Sequence, residues 1–243
     1  MIIDAIRLIV GGTILSYASY TDCKYREASN KLWIIMACIG IPLLFFYSDS
    51  LTVALSIIIS FLLGFILYLF GMGGADTKAI WAIAILSPLS PQNFFPLAEF
   101  PVGNFPAFLI NIFPLTVLVN SLLLILPLPL IFFFYNLWKK HIEFPYCFFG
   151  YKIKGYEAEK KFVWAMEKNG KKSITPKKDV DFSRYGNREI WVTPKLPFLL
   201  FICVGYISSF IFGSYFFALL SFLFSKLFSI SSTLFFILSI SLF

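Results

Sequence analysis

Apolar runs of roughly membrane length alternate with short polar breaks along most of this chain. The first run covers about Ala5 to Tyr20 and ends in Thr21-Asp22-Cys23-Lys24-Tyr25-Arg26-Glu27-Ala28-Ser29-Asn30-Lys31. A second extends from about Leu32 to Tyr47, and after Ser48-Asp49-Ser50 a third extends from about Leu51 to Phe70. Gly71-Met72-Gly73-Gly74-Ala75-Asp76-Thr77-Lys78 then feeds a fourth, to about Leu86. A proline-rich, nearly uncharged loop from Ser87 to Pro106 precedes a long apolar stretch to Trp138, in which Pro114, Pro127 and Pro129 are expected to introduce kinks. From Pro197 to about Phe224 the chain is apolar again. Crossing the hydrocarbon takes about 20 apolar residues per helix. The pattern therefore predicts an all-α polytopic membrane protein with six spanning helices. The Ser-rich stretch Leu227 to Phe243 is either a seventh helix or an interfacial tail.

One segment breaks this pattern. Residues 138–195 hold 21 of the chain's 33 charged residues, so the expected division is membrane helices over 1–137, a polar insert over 138–195, and a last helix with its tail over 196–243. Within the insert, Lys161-Phe162-Val163-Trp164-Ala165-Met166-Glu167 and Lys171-Lys172-Ser173-Ile174-Thr175 flank Asn169-Gly170, a turn signal that predicts a β-hairpin in a small α+β module. A module of this size has little core of its own and is expected to lean on the membrane helices or the lipid surface.

Composition narrows the function classes. At 59% hydrophobic and mean hydropathy +0.83, the chain is neither a soluble enzyme, nor a DNA-binding domain, nor disordered. The net charge of +7 is read as a cytoplasmic face meeting anionic lipid headgroups rather than as a nucleic-acid surface. Of the 20 basic residues, 18 lie in alternate connections: Lys24, Arg26 and Lys31, then Lys78, then the insert; the opposite connections, Tyr47–Ser50 and Ser87–Pro106, hold none. The positive-inside rule thus places the N-terminus outside and the first, third and fifth connections in the cytoplasm. The N-terminus opens with Asp4 and lacks a positive n-region, so a retained helix is expected in place of a cleaved signal. Cys23, Cys38, Cys147 and Cys203 are scattered and His141 stands alone, so neither a metal site nor any cofactor is predicted.

Both membrane-proximal aspartates, Asp22 and Asp76, fall on the predicted cytoplasmic side, at helix ends that bundle packing can bring together. Ionisable groups near membrane depth are costly unless paired or hydrated and are functional candidates by default. Two carboxylates sharing a site hold one proton between them, which suits aspartyl hydrolysis. Plainer readings stand beside this one: Asp22 as a solvated loop residue, and Asp76 as the N-cap of the fourth helix. A cap does not need Gly71, Gly73 and Gly74 in front of it, although glycines also serve close packing of membrane helices. Lys78 is read chiefly as a headgroup-seeking lysine, Asn30 as a cap of the second helix or a loop-orienting residue, and His141 as an interfacial side chain.

Gly73-Gly74-Ala75-Asp76 looks like a variant of the GxGD motif. With Asp22 closing the first helix, and with Asp181-Phe182-Ser183-Arg184-Tyr185 and Glu189-Ile190-Trp191-Val192-Thr193-Pro194 ending the insert, the chain resembles the archaeal preflagellin peptidases, relatives of the type IV prepilin peptidases. The resemblance covers about Met1 to Phe224. It implies a membrane aspartyl endopeptidase that removes short, positively charged leaders from preflagellins and pilin-like precursors on the cytoplasmic side, ahead of their hydrophobic segment. Asp22 and Asp76 match its catalytic pair, and Gly73, Gly74 and Ala75 would shape the site, with Lys78 and Asn30 as possible support. The four-cysteine domain of many bacterial relatives is absent, so a protease without methyltransferase activity is expected. The alternatives are a presenilin-like intramembrane protease, which cuts within a spanning helix, and a proton-coupled transporter. Against the latter, the sequence has no internal repeat and no matched pair of broken helices.

Overall fold

The computed structural model describes residues 2–91, 111–168, 170–177 and 180–223. Helix α1 (Ile2–Tyr25) continues past its apolar run and carries Asp22 in its last turn, ending where Arg26 adopts a left-handed φ of 59°. Helix α2 (Asn30–Leu44) starts at Ser29, whose hydroxyl accepts from the Lys31 N–H, and α3 (Ser50–Leu69) starts at Asp49, which accepts from Thr52. A tight turn through Gly71, at φ 94°, leads into α4 (Gly74–Leu86).

The fifth apolar stretch divides into α5 (Phe113–Ile125) and α6 (Leu128–Trp138). The break falls at Leu126-Pro127. Pro114 and Pro129 sit in the first turns of their helices, where a missing N–H costs nothing, so of the three expected kinks only that at Pro127 interrupts the helix. After the insert, α8 (Phe198–Phe212) and α9 (Tyr215–Leu223) meet at a 59° bend next to Gly213.

By length and composition, three helical stretches among the described residues can cross a membrane: Ile2–Tyr25, Ser50–Leu69 and Phe113–Trp138; the bent pair α8–α9 makes a fourth. Helix α2 is apolar but has 15 residues, and α4 has 13, about 20 Å at 1.5 Å per residue. The expected seventh segment, Leu227 to Phe243, and most of the Ser87–Pro106 loop lie outside the described residues.

The chain divides into two compact units, one from residues 1–124 together with the chain from Pro197 onward, the other Ile125–Leu196. In the first unit α4 is the inner element. Thr77, Ala79, Ile80, Ala82, Ile83, Ala84 and Leu86 are all buried, and α4 packs on α2, α3 and α8. Helices α1 to α3 instead expose Ile9, Ile34, Ile58, Leu62 and Phe65, as lipid-facing helices do. Small residues permit the close crossings. A Cβ on Gly40 of α2 would stand 2.8 Å from the Leu86 Cα, and one on Gly11 of α1 would collide with the Tyr206 ring of α8.

The second unit is a four-stranded antiparallel sheet of order β1-β4-β2-β3: β1 (Tyr151–Lys154), β2 (Val163–Lys168), β3 (Lys171–Lys177) and β4 (Glu189–Pro194). The expected hairpin is β2–β3, turning at Gly170 with φ 76°. The short helix α7 (Gly155–Ala158) follows β1. Alternate residues of β4 serve opposite faces. Ile190 and Val192 pack with Ile153, Ala158 and Val163, while Trp191 packs with Cys147 and Met166 and is backed by Phe133 of α6. The insert thus completes its core with the end of the fifth apolar stretch. Asn136 of α6 is buried and donates to the carbonyls of Cys147 (2.9 Å) and Gly150 (2.7 Å). Glu143 pairs with Lys152 and Lys172 and accepts from Trp191 Nε1, and these partners hold its carboxyl down to about 2.

Candidate functional site

Asp22 and Asp76 lie on different helices, 54 positions apart in the chain, and the fold brings them together. Asp22 projects from the last turn of α1. Its carboxylate meets the backbone N–H of Leu199 in the first turn of α8, one of the N–H groups that a helix start leaves without an intrahelical partner. One turn earlier, the Ser19 hydroxyl donates to the Leu199 carbonyl at 2.9 Å and to the Leu15 carbonyl at 2.7 Å. Both backbone polar groups of Leu199 are thereby tied to α1. The Arg26 guanidinium, four residues on from Asp22, acts on its charge at the i,i+4 spacing that helix geometry favours.

Asp76 is not the cap of α4. Gly73 occupies the N-cap position and Asp76 the third position of the first turn, from which its carboxylate reaches back to the Gly73 N–H. The Gly73 carbonyl in turn accepts from the N–H of Thr77 at 3.1 Å and from its hydroxyl at 3.3 Å. A Cβ on Gly73 would lie 2.6 Å from Asp76 Oδ2, too close for any side chain while the carboxylate holds this position. At Gly74 the nearest atom to an added Cβ is a ring carbon of Tyr68 at 3.9 Å, an ordinary contact, and Ala75 packs against the main core.

Helices α1 and α4 are in contact, both carboxylates are partly buried, and the charge of Asp22 acts directly on Asp76. Two carboxyl groups in this relation titrate as a pair. Such a pair offers a proton acceptor and a proton donor at one place.

The remaining sequence candidates fall beside this pair. Lys78 Nζ donates to Asn30 Oδ1 at 2.8 Å, tying the start of α2 to α4. Ser29, not Asn30, caps α2, and the expected headgroup-seeking lysine is a bridge between helices. Lys78 and Asn30 stand at one end of a mainly apolar groove of about 380 Å³, lined further by Trp33, Phe61, Trp81 and Ile85. His141 lies 3.7 Å from Glu189 within the insert. Among the described residues no three His, Cys, Asp or Glu side chains gather to hold a metal ion. The Leu199 N–H has no counterpart in the sequence reading, because a backbone group leaves no residue signature. Arg26 did have one, its spacing from Asp22.

Comparisons with known proteins identify the family. Residues 9–130 match the type IV leader peptidase family, and residues 142–215 match the archaeal peptidase A24 C-terminus, type II. A preflagellin peptidase of Methanocaldococcus jannaschii is 35% identical over 224 residues, covering 86% of this chain and 94% of its own length. A preflagellin peptidase of Methanococcus maripaludis is 31% identical, over 86% of this chain and 95% of its own length. The prepilin peptidase EppA of Methanothermobacter thermautotrophicus is 28% identical over 58% of this chain and 39% of its own length. Apolar helices of spanning length, a paired carboxylate site at two helix ends and these matches over most of the sequence lead to one conclusion: the chain belongs to the type IV leader peptidase family of membrane proteases.

Proposed function

We propose that this protein is an aspartyl endopeptidase that removes the short basic leader of preflagellins and pilin-like precursors at the cytoplasmic face of the membrane, with Asp22 and Asp76 as its catalytic pair. The observation that carries this reading is the electrostatic contact between two partly buried carboxylates delivered by α1 and α4. The restriction of 18 of 20 basic residues to alternate connections supports the cytoplasmic side and the outside N-terminus.

The chemistry follows from the pair holding a single proton. The ionised carboxylate takes a proton from water as the water oxygen attacks the scissile carbonyl carbon. The protonated partner gives its proton to the carbonyl oxygen, producing a neutral tetrahedral gem-diol. Collapse expels the amine, which receives the proton taken from water, and returns the carbonyl proton to the pair, so the site is regenerated in its starting state. Which aspartate begins protonated is a property of the pair. Gly73 keeps space beside Asp76 for the carboxylate and the peptide.

The test is cleavage of a leader-bearing preflagellin by solubilised membranes, comparing the parent with Asp22→Asn and Asp76→Asn and sequencing the new N-terminus. Cutting ahead of the hydrophobic segment by the parent alone supports the reading. Undiminished cutting by either variant removes that aspartate from the mechanism, and a cut inside the hydrophobic segment indicates an intramembrane protease.

A further inference from the structure

The insert carries 14 basic and seven acidic residues, so the whole net charge of +7 resides there. Five of its acids are engaged: Glu143 with Lys152 and Lys172, Glu157 with Lys161, Glu167 with Arg188, Asp181 with Arg184, and Glu189 beside His141. Lys177 and Lys195 make no ion pair among the described residues, and both border one cleft. This cleft, about 280 Å³, is walled by Val163, Trp164 and Ala165 of β2, by Lys177 at the end of β3, by Val180 and Phe182, and by Lys195 just past β4. Among the described residues no acidic side chain lines it; the neighbouring Asp181 is held by Ser183 and Arg184. The Lys195 ammonium lies over the Trp164 ring at 5.5 Å, and the Lys195 N–H donates to the Phe162 carbonyl at 2.9 Å, which fixes the rim. Trp164 and Phe162 themselves remain exposed, at 36% and 47%.

We propose that this cleft binds the phosphate of an anionic lipid headgroup, between Lys177 and Lys195, with Trp164 and Phe162 entering the interfacial layer. An exposed indole beside a lysine is the side-chain pair that settles at membrane interfaces, apolar body inward and charge toward phosphate. Charge complementarity selects the occupant. Two lysines with no acidic partner among the described residues attract an anionic surface, each contributing about 1 kcal/mol near it, and repel a basic leader. The same helix α6 that completes the insert's core is an apolar segment ending at Trp138, which has Lys139 over its ring at 5.3 Å and is 79% exposed. The insert therefore carries two such pairs.

The full-length protein is reconstituted in mixed bilayers in which either phosphatidylglycerol or phosphatidylcholine has brominated chains. Quenching of the Trp164 emission, taken as the difference between the parent and Trp164→Phe, gives the relative association of the two lipids with this cleft. The expected result is a preference for phosphatidylglycerol of roughly tenfold or more, from two lysines. It falls near unity in the double variant Lys177→Gln, Lys195→Gln and is kept in Lys177→Arg, Lys195→Arg, with the near-ultraviolet circular dichroism of the insert unchanged. Equal quenching by both lipids in the parent, or a preference that survives loss of both charges, overturns the proposal. Displacement by inorganic phosphate beyond that caused by chloride of equal ionic strength also overturns it, since it would mark a site for free phosphate.

Discussion

In the membrane unit, the buried polar side chains are mostly hydroxyls that donate to carbonyls: Ser19 to Leu15 and Leu199, Ser56 to Pro88 (2.6 Å), Ser60 to Ser56 (2.7 Å), Ser121 to Val117 (2.6 Å). In the insert the same task falls to ions: buried Glu167 with Arg188, and Glu143 with Lys152, Lys172 and the Trp191 indole. The difference follows the surroundings. Water near the insert solvates whatever part of an ion pair is left open. A hydrocarbon environment leaves an imperfectly paired charge expensive, whereas a hydroxyl completes its bonding within its own helix or at a neighbour. Buried amides such as Asn120 are likewise satisfied by neighbours, and among ionisable groups two cases in the membrane unit then stand out. One is Arg7, 4% exposed, which binds Asp4 at 3.2 Å, donates to the Leu43 carbonyl at 2.9 Å and lies 4.3 Å from the centroid of the Tyr47 ring. The other is the Asp22–Asp76 pair, two partly buried carboxyl groups that act on one another, to which the proposed function assigns the chemistry.

The largest expected effect is on that pair. Asp22→Asn and Asp76→Asn should each lower leader cleavage by roughly a thousandfold or more, within the range attributed to acid–base groups, while thermal melting in detergent holds or rises. A fall in melting temperature together with activity would make the pair structural and erase the contrast. Next, Gly73→Ala should reduce cleavage by tens of fold through displacement of the Asp76 carboxylate, given the 2.6 Å approach, with a much smaller loss of stability; kinetics and melting on the same preparation separate the two.

The ionic side of the comparison is tested by acid. Glu143 is held at about 2, below its ordinary value of 4.5. A depressed carboxyl contributes stability that is fully present above its unfolded pKa and is lost as pH falls through the folded one. The near-ultraviolet signal of Trp191 should therefore weaken between about pH 4.5 and 2 in the parent, and Glu143→Gln should remove that dependence while weakening the signal at neutral pH. On the hydroxyl side, Ser56→Ala should cost about 1 kcal/mol, leaving the Pro88 carbonyl short of one partner, as read by denaturation in mixed micelles. The smallest effect belongs to Asn30→Ala, whose bond to Lys78 is exposed; within about 0.5 kcal/mol of the parent is expected, and cleavage should change little.

Much of this was legible in the sequence for a physical reason. Polar breaks in apolar runs mark helix ends, so Asp22 was expected where the first helix closes and Asp76 at the junction of the third and fourth; they stand in the last turn of α1 and the first turn of α4. The limits are equally physical. Helix α1 outlasts its apolar run because hydrophobicity sets where a helix is buried, whereas Arg26's left-handed backbone sets where it stops. The sequence offered Asp76 as a cap because Asp is a good one, yet a glycine took that place and Asp76 turned back on it from within the first turn. The β2–β3 hairpin was readable from its turn. The placement of β4 between β1 and β2 was not, because antiparallel neighbours distant in sequence are chosen by packing on both faces, not by local chemistry.

The three glycines ahead of Asp76 would leave different marks in a saturation mutagenesis experiment. Gly71 is constrained by its own backbone, at φ 94°, with open space around it, so asparagine should be the best-tolerated replacement. Gly73 is constrained by a neighbour's oxygen, so no replacement should pass. Gly74 is constrained by neither, and the scaffold accommodates an alanine there. Any selection against Gly74→Ala would therefore report the peptide being cut, and the spectrum of tolerated residues across the three positions would distinguish the demands of the chain, the carboxylate and the substrate.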